Sequence, residues 1–129
     1  MKKLNILIVD DEPIIHEAFI TSFENEIASG EVDMSFCLNG QECLEVLSQD
    51  PEKYKGGVII ADLNMPKMDG FQLLEYIKVK HPDLSISVVS AYASEEYKKL
   101  AKDKGASNYY IKPLDVFKIR NTIIKDYLK

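Results

Sequence analysis

Asn5-Ile6-Leu7-Ile8-Val9-Asp10-Asp11 is the stretch on which the fold turns: a short apolar run that ends abruptly in two acids. A strand with one wet face alternates apolar and polar residues, whereas a run that is apolar on both sides predicts a strand covered on both faces, the usual situation in a parallel sheet. Outward from it further strands read as Val32 to Leu38, Val58 to Ala61, Ser85 to Val89 and Asn108 to Ile111. Helical spacing fills the intervals. Pro13 suits a first helical turn, and Ile15, Ala18, Phe19, Phe23 and Ile27 predict one helix running on to Gly30. Gln41 to Gln49 carries Leu44 and Leu47 inward, and Gly70 opens a helix with Phe71, Leu74 and Ile77 that His81-Pro82 stops. Ser94 and Glu96 cap a helix ended by Gly105, and a last helix after Pro113 carries Phe117, Ile123, Ile124, Tyr127 and Leu128.

Five strands alternating with five helices, joined by right-handed crossovers, predict an α/β doubly wound parallel sheet with helices on both faces. A length of 129 residues suits one domain, taken as 1–129, and no repeat, linker or low-complexity stretch divides it. With 16 Lys and Arg against 21 Asp and Glu, the chain lacks the basic surface that nucleic-acid binding needs. No apolar run approaches the roughly 20 residues of a membrane span, and Met1-Lys2-Lys3-Leu4 leads into no signal-peptide core, so a cytoplasmic location is expected. Cys37 and Cys43 do not have redox or zinc spacing and read as reduced, packed thiols.

In an open parallel sheet, ligands bind beyond the C-terminal strand ends. The residues there are Asp10 and Asp11, Asp62, Ser90 and Lys112. Three converging carboxylates repel one another and call for a cation; an all-oxygen set suits Mg²⁺, which commonly joins one or two carboxylates to a phosphate. A carboxylate so placed can attack phosphorus, which makes Asp62 a candidate nucleophile, Lys112 a charge partner and Ser90 a hydrogen-bond donor to phosphoryl oxygens.

Ile8-Val9-Asp10-Asp11-Glu12, Asp62-Leu63-Asn64-Met65-Pro66-Lys67-Met68-Asp69-Gly70, Ser90-Ala91 and Lys112-Pro113 together resemble the receiver domain of bacterial response regulators, over essentially the whole chain. The resemblance implies a flavodoxin-like strand order 2-1-3-4-5 and a Mg²⁺ site from Asp10, Asp11, Asp62 and the backbone carbonyl of Asn64. It implies Asp62 as phosphoacceptor, with Ser90 and Lys112 contacting the phosphoryl group. The donor would be a phosphohistidine on a sensor histidine kinase or phosphotransfer protein. The output would be a conformational switch through Ser90 and Tyr109 toward a downstream protein target or output domain, with a phosphorylation-dependent dimer as a further expectation. Ser90 stands where the family more often has threonine, and Asn64 and Tyr92 stand at positions that tune phosphoryl lifetime.

Taken singly, these signals have plainer readings. Asp10-Asp11 reads equally as a helix cap, and Asp62-Leu63-Asn64 and Ser90 as turn chemistry. Tyr110 competes with Tyr109 as the switch aromatic. His16 and His81 read as surface residues. The face of Tyr97, Lys98, Lys99, Lys102 and the last helix reads as a partner surface or a solvated one. A phosphatase with an aspartyl-phosphate intermediate would carry an acid where Asn64 stands, so no separate substrate turnover is expected. A nucleotide or flavin module would carry glycine where the first loop has Asp10-Asp11-Glu12-Pro13. The chain reads either as a free-standing receiver or as the receiver part of a longer protein.

Overall fold

The apolar runs pair into one sheet in the computed structural model, which describes residues 3–64 and 70–128. The elements are β1 (Leu4–Val9), α1 (Pro13–Ser22), α2 (Glu24–Ser29), β2 (Val32–Cys37), α3 (Gly40–Gln49), β3 (Val58–Asp62), α4 (Gly70–Lys80), β4 (Ser85–Ser90), α5 (Glu95–Asp103), β5 (Asn108–Ile111) and α6 (Val116–Tyr127). The strands lie in the order β2-β1-β3-β4-β5 and every pairing is parallel, which is the expected doubly wound arrangement.

The period of two along each strand divides the core. Leu7, Val9, Ile59, Ala61, Ile86 and Val88 face α3, α4 and α5, where Leu47, Leu73, Leu74, Ile77 and Ala101 meet them. Ile6, Ile8, Val58, Ile60 and Val89 face the opposite way, onto Phe19, Phe23, Ile119 and Ile123 of the α1 and α6 side. Both sides of β1 and β3 are therefore dry, as their apolar runs require. Each fully buried Leu, Ile or Phe contributes about 1.5 to 3 kcal/mol relative to exposure.

Helix ends follow their residues. The Asn39 side chain accepts from Glu42 N at 2.9 Å while the Glu42 carboxylate accepts from Leu38 N, a reciprocal cap on α3. Ser94 caps α5 through Glu96 N and Tyr97 N, and Asp115 caps α6 through Lys118 N. Gly105, at φ +104°, takes the left-handed turn after α5 that the sequence assigns to it.

One expected element is divided. Where spacing predicts a single helix from Pro13 to Gly30, the chain bends at Phe23 into α1 and α2, giving six helices among the described residues. The Ser22 hydroxyl donates back to the Phe19 carbonyl at 2.9 Å and the Thr21 hydroxyl to Glu17, contacts that pull on the helical ladder and bend it. The bend lets both Phe19 and Phe23 be wholly buried. Among the described residues, no helix is long and apolar enough to cross a membrane.

Candidate functional site

The sheet register brings the strand ends level. Val9 lies beside Ala61, Asp62 beside Val89, and Ser90 beside Ile111, so Asp10, Asp62, Ser90 and Lys112 meet at one edge. Asp62 and Ser90 are the last residues of their strands rather than the first beyond them. Backbone bonds fasten the edge: Asp10 N donates to Cys37 O at 3.0 Å, Leu63 N to Val89 O at 2.9 Å, and Lys112 N to Ser90 O at 2.8 Å.

At this edge Asp10, Asp62 and Ser90 each make turn contacts with the chain that follows. Asp10 Oδ1 accepts from Glu12 N at 2.9 Å, Asp62 Oδ1 from Asn64 N at 2.9 Å, and Ser90 Oγ from Tyr92 N at 3.0 Å. Each strand-end side chain captures the amide two residues on, which is how Asx and Ser turns form. One oxygen of each carboxylate is thereby occupied, and the other is left for chemistry.

Those second oxygens converge on a cation. Lys112 Nζ lies 2.8 Å from Asp62 Oδ2, 3.1 Å from Glu12 Oε1 and 3.9 Å from Asp10 Oδ2. Asp10 and Asp62 are buried, whereas Asp11, Glu12 and Asn64 are exposed. Burial pushes the Asp10 carboxyl above its ordinary value, against the lowering effects of the Glu12 amide and of Lys112. Burial alone would lower Lys112, but hydrogen bonds to Asp62 and Glu12 and the charges of Asp62 and Asp10 outweigh it and hold the ammonium above its usual range. Oxygens of Asp10, Asp11, Glu12 and Asp62 all lie within 4.8 Å of one another. A buried, under-neutralised carboxylate beside three others suits a hard divalent cation with oxygen ligands.

Toward β5 the site continues through Tyr92. Its amide is held by Ser90 Oγ, and its carbonyl accepts from the Tyr109 hydroxyl at 2.7 Å. Tyr97 stacks on Phe71, with ring centroids 6.0 Å apart, and lies 5.2 Å from the Tyr92 ring. Tyr110 packs on the opposite face of the sheet, and its buried hydroxyl has no partner among the described residues. The alternation of β5 thus sends Tyr109, not Tyr110, toward the Ser90 loop. Met65, Pro66, Lys67, Met68 and Asp69 of the quoted motif lie outside the described residues.

Sequence reasoning passed over two residues. Glu12 shares Lys112 with Asp62, a contact that its adjacency to Asp10-Asp11 could have suggested. His16, expected on the surface, is half-buried: its ring lies 4.9 Å from that of Phe36, and Nε2 lies 2.8 Å from the Asp10 carbonyl. No periodicity signals a bond between a helix side chain and the carbonyl of a preceding strand end. His81 is likewise half-buried, just beyond the C-terminal end of α4.

Residues 6–124 match the family model described as the response regulator receiver domain. The response regulator protein PilR of Pseudomonas aeruginosa is 28% identical over 123 residues, covering 95% of this chain and 26% of that protein. The sporulation initiation phosphotransferase F of Bacillus subtilis is 28% identical over 129 residues, covering 99% of this chain and 96% of its own length. PilR is the longer protein: the chain spans 26% of it, and 45% of a further curated relative that it matches. Among solved structures, the complex of CheX, CheY, BeF₃ and Mg²⁺ from Borrelia burgdorferi superposes with a TM-score of 0.82 at 25% identity, over 98% of this chain and 90% of that one.

Proposed function

Because this chain belongs to the response regulator receiver family, we propose that it takes a phosphoryl group onto Asp62 from a phosphohistidine donor and relays the event through Ser90 and Tyr109. The observation that carries this reading is the Asp62 carboxylate: buried, with one oxygen held by Asn64 N and the other 2.8 Å from Lys112 Nζ. In the transfer an Asp62 oxygen forms a bond to phosphorus as the phosphorus–nitrogen bond of the donor breaks, the donor ring being protonated on its other nitrogen, which leaves an acyl phosphate on Asp62 and a neutral histidine on the donor. Lys112 stays within reach of the charge that gathers on the phosphoryl oxygens. Hydrolysis of the acyl phosphate by water resets the site, with no separate substrate turned over.

Asp10, Asp11, Asp62 and the Asn64 carbonyl are the residues that would hold Mg²⁺, and the raised carboxyl of Asp10 suits that role. When bound, the ion supplies positive charge against the carboxylates and the incoming phosphoryl group. Ser90 and Tyr109 grip the two sides of Tyr92 in the present conformation. Ser90 Oγ turning to a phosphoryl oxygen gives up the Tyr92 amide, and Tyr109 then exchanges its bond to the Tyr92 carbonyl for a position in the space vacated. Packed alternatives of this kind differ by a few kcal/mol.

Partners of the same reading are a sensor histidine kinase or phosphotransfer protein upstream and a protein target or output domain downstream. The PilR relative is named a response regulator and the Bacillus relative a phosphotransferase, which fits a phosphoryl relay. A cytoplasmic location belongs to the same proposal, since reduced thiols belong there. The test is intact mass after incubation with Mg²⁺ and a small acyl phosphate, for the native chain and for Asp62→Asn. Expected is a gain of one phosphoryl group that is absent in the variant and lost when Mg²⁺ is chelated. No gain with the small donor or with a phosphorylated histidine kinase would overturn the reading.

A further inference from the structure

We infer that His16 is a positioning residue for the acidic site, orienting Asp10 by donating a hydrogen bond to its backbone carbonyl. The inference rests on the reading of Asp10 as a metal ligand. Asp10 is held at three points: its amide donates to Cys37 O, its Oδ1 accepts from Glu12 N, and its carbonyl meets His16 Nε2 at 2.8 Å. A carbonyl only accepts, so Nε2 carries the hydrogen. Two of these contacts use backbone amides, present with almost any neighbouring side chain. The third depends on the side chain of residue 16.

His16 is the fourth residue of α1, where its ring is braced against Phe36 of β2, with centroids 4.9 Å apart and planes 27° apart. The stack limits ring rotation, so the N–H is aimed before any ligand arrives. Its target is the peptide joining Asp10 to Asp11. Turning that peptide would move Asp11 and the Glu12 amide that holds Asp10 Oδ1, and would so loosen the Asp10 carboxylate that faces Lys112 and Asp62. A group that locks this peptide presents both carboxylates together and reduces the ordering that a cation would otherwise have to impose.

The test uses the full chain, with His16→Phe to keep a ring against Phe36 and delete the donor, and His16→Gln to restore an N–H at similar reach. Isothermal titration with Mg²⁺ and the amide NMR signal of Asp11 without metal are the two readouts, and thermal melts in chelator establish that each variant is folded. Loss of one hydrogen bond of ordinary net strength predicts Mg²⁺ affinity weaker by about two- to tenfold in His16→Phe. His16→Gln should recover most of that loss, and the Asp11 amide should shift in the first variant and return in the second. Equal Mg²⁺ affinity in all three chains, or equal weakening in both variants, would overturn the positioning role while leaving the metal site standing. Absence of Mg²⁺ binding in the native chain would overturn the metal site and this role together.

Discussion

Lys112→Met is the most informative single change, because it removes the cation that, among the described residues, meets three carboxylates, and keeps the length of the side chain. Asp62 and Asp10 are 4% and 3% exposed at their side chains, and Lys112 is 23% exposed, so water screens these pairs poorly. Removing one partner of a buried pair costs about 3 to 5 kcal/mol, and the partial exposure of Lys112 puts the expectation at the low end, about 3 kcal/mol. Glu12, more than half exposed, adds little through its own contact. For a chain of this length about 4 °C of melting temperature corresponds to each kcal/mol, so the variant should melt about 12 °C below the native chain in chelator. The sign agrees with the raised Lys112 ammonium, whose stabilisation is fully present below its unfolded pKa and is lost only in strong alkali, as pH rises through the folded value. Mg²⁺ should narrow the gap: a cation at 100 times its dissociation constant adds about 2.7 kcal/mol, and the variant, with its carboxylates less neutralised, binds the metal more tightly. A double variant with Asp62→Asn should recover a large part of the loss, since the uncompensated charge is then gone. Differential scanning calorimetry in chelator and in Mg²⁺ measures all of this. Melting within about 2 °C of the native chain in chelator would mean that the carboxylates carry no buried charge penalty, and the electrostatic account of the site would be wrong.

Asp10→Asn should melt higher than the native chain at neutral pH in chelator. Burial raises the Asp10 carboxyl in the fold, so the folded state binds its proton more tightly than the unfolded one, and native stability rises as pH falls through the folded pKa. The advantage of the variant should therefore fade in melts taken from about pH 8 down to pH 4, and a variant less stable at neutral pH would contradict the assignment. Gly70→Ala places a Cβ 2.6 Å from Leu63 Cα and 2.9 Å from the Asp62 carbonyl oxygen; overpacking of this kind costs about 1 to 3 kcal/mol, seen as a melting point lowered by about 4 to 12 °C and as slower phosphoryl uptake. An unchanged melting point would show that the Asp62–Leu63 backbone yields freely. Burial pushes the Cys37 thiol up to about 11 and Cys43 higher still, so a thiol reagent at neutral pH should label neither until denaturant is added; prompt labelling of either in the folded chain would refute this.

The helix from Pro13 shows where pattern reading stops. Its apolar spacing runs through the break at Phe23 because Phe19, Phe23 and Ile27 belong to one stripe in either case. The bend comes from hydroxyls of Thr21 and Ser22 that bond backward along the chain, a choice those side chains make only once the phenylalanines are seated. The two tyrosines of β5 are a second example. Their adjacency leaves open which of them faces the Ser90 loop, and strand alternation against a packed helix on each face separates them.

What the sequence determined by itself was local and periodic: the apolar runs buried on both faces, the punctuation by Pro13, Gly30, Pro82 and Gly105, and the acids, serine and lysine standing at strand ends. Each of these follows from forces within one element or between neighbours in the chain. The tertiary structure decided what depends on distance between remote residues. It made Lys112 the partner of Asp62 and Glu12, gave Tyr109 the Tyr92 carbonyl, and drew His16 off the surface onto Asp10. Those contacts join residues up to 100 positions apart, and only the parallel register, which brings every strand end to one edge, specifies which of them meet.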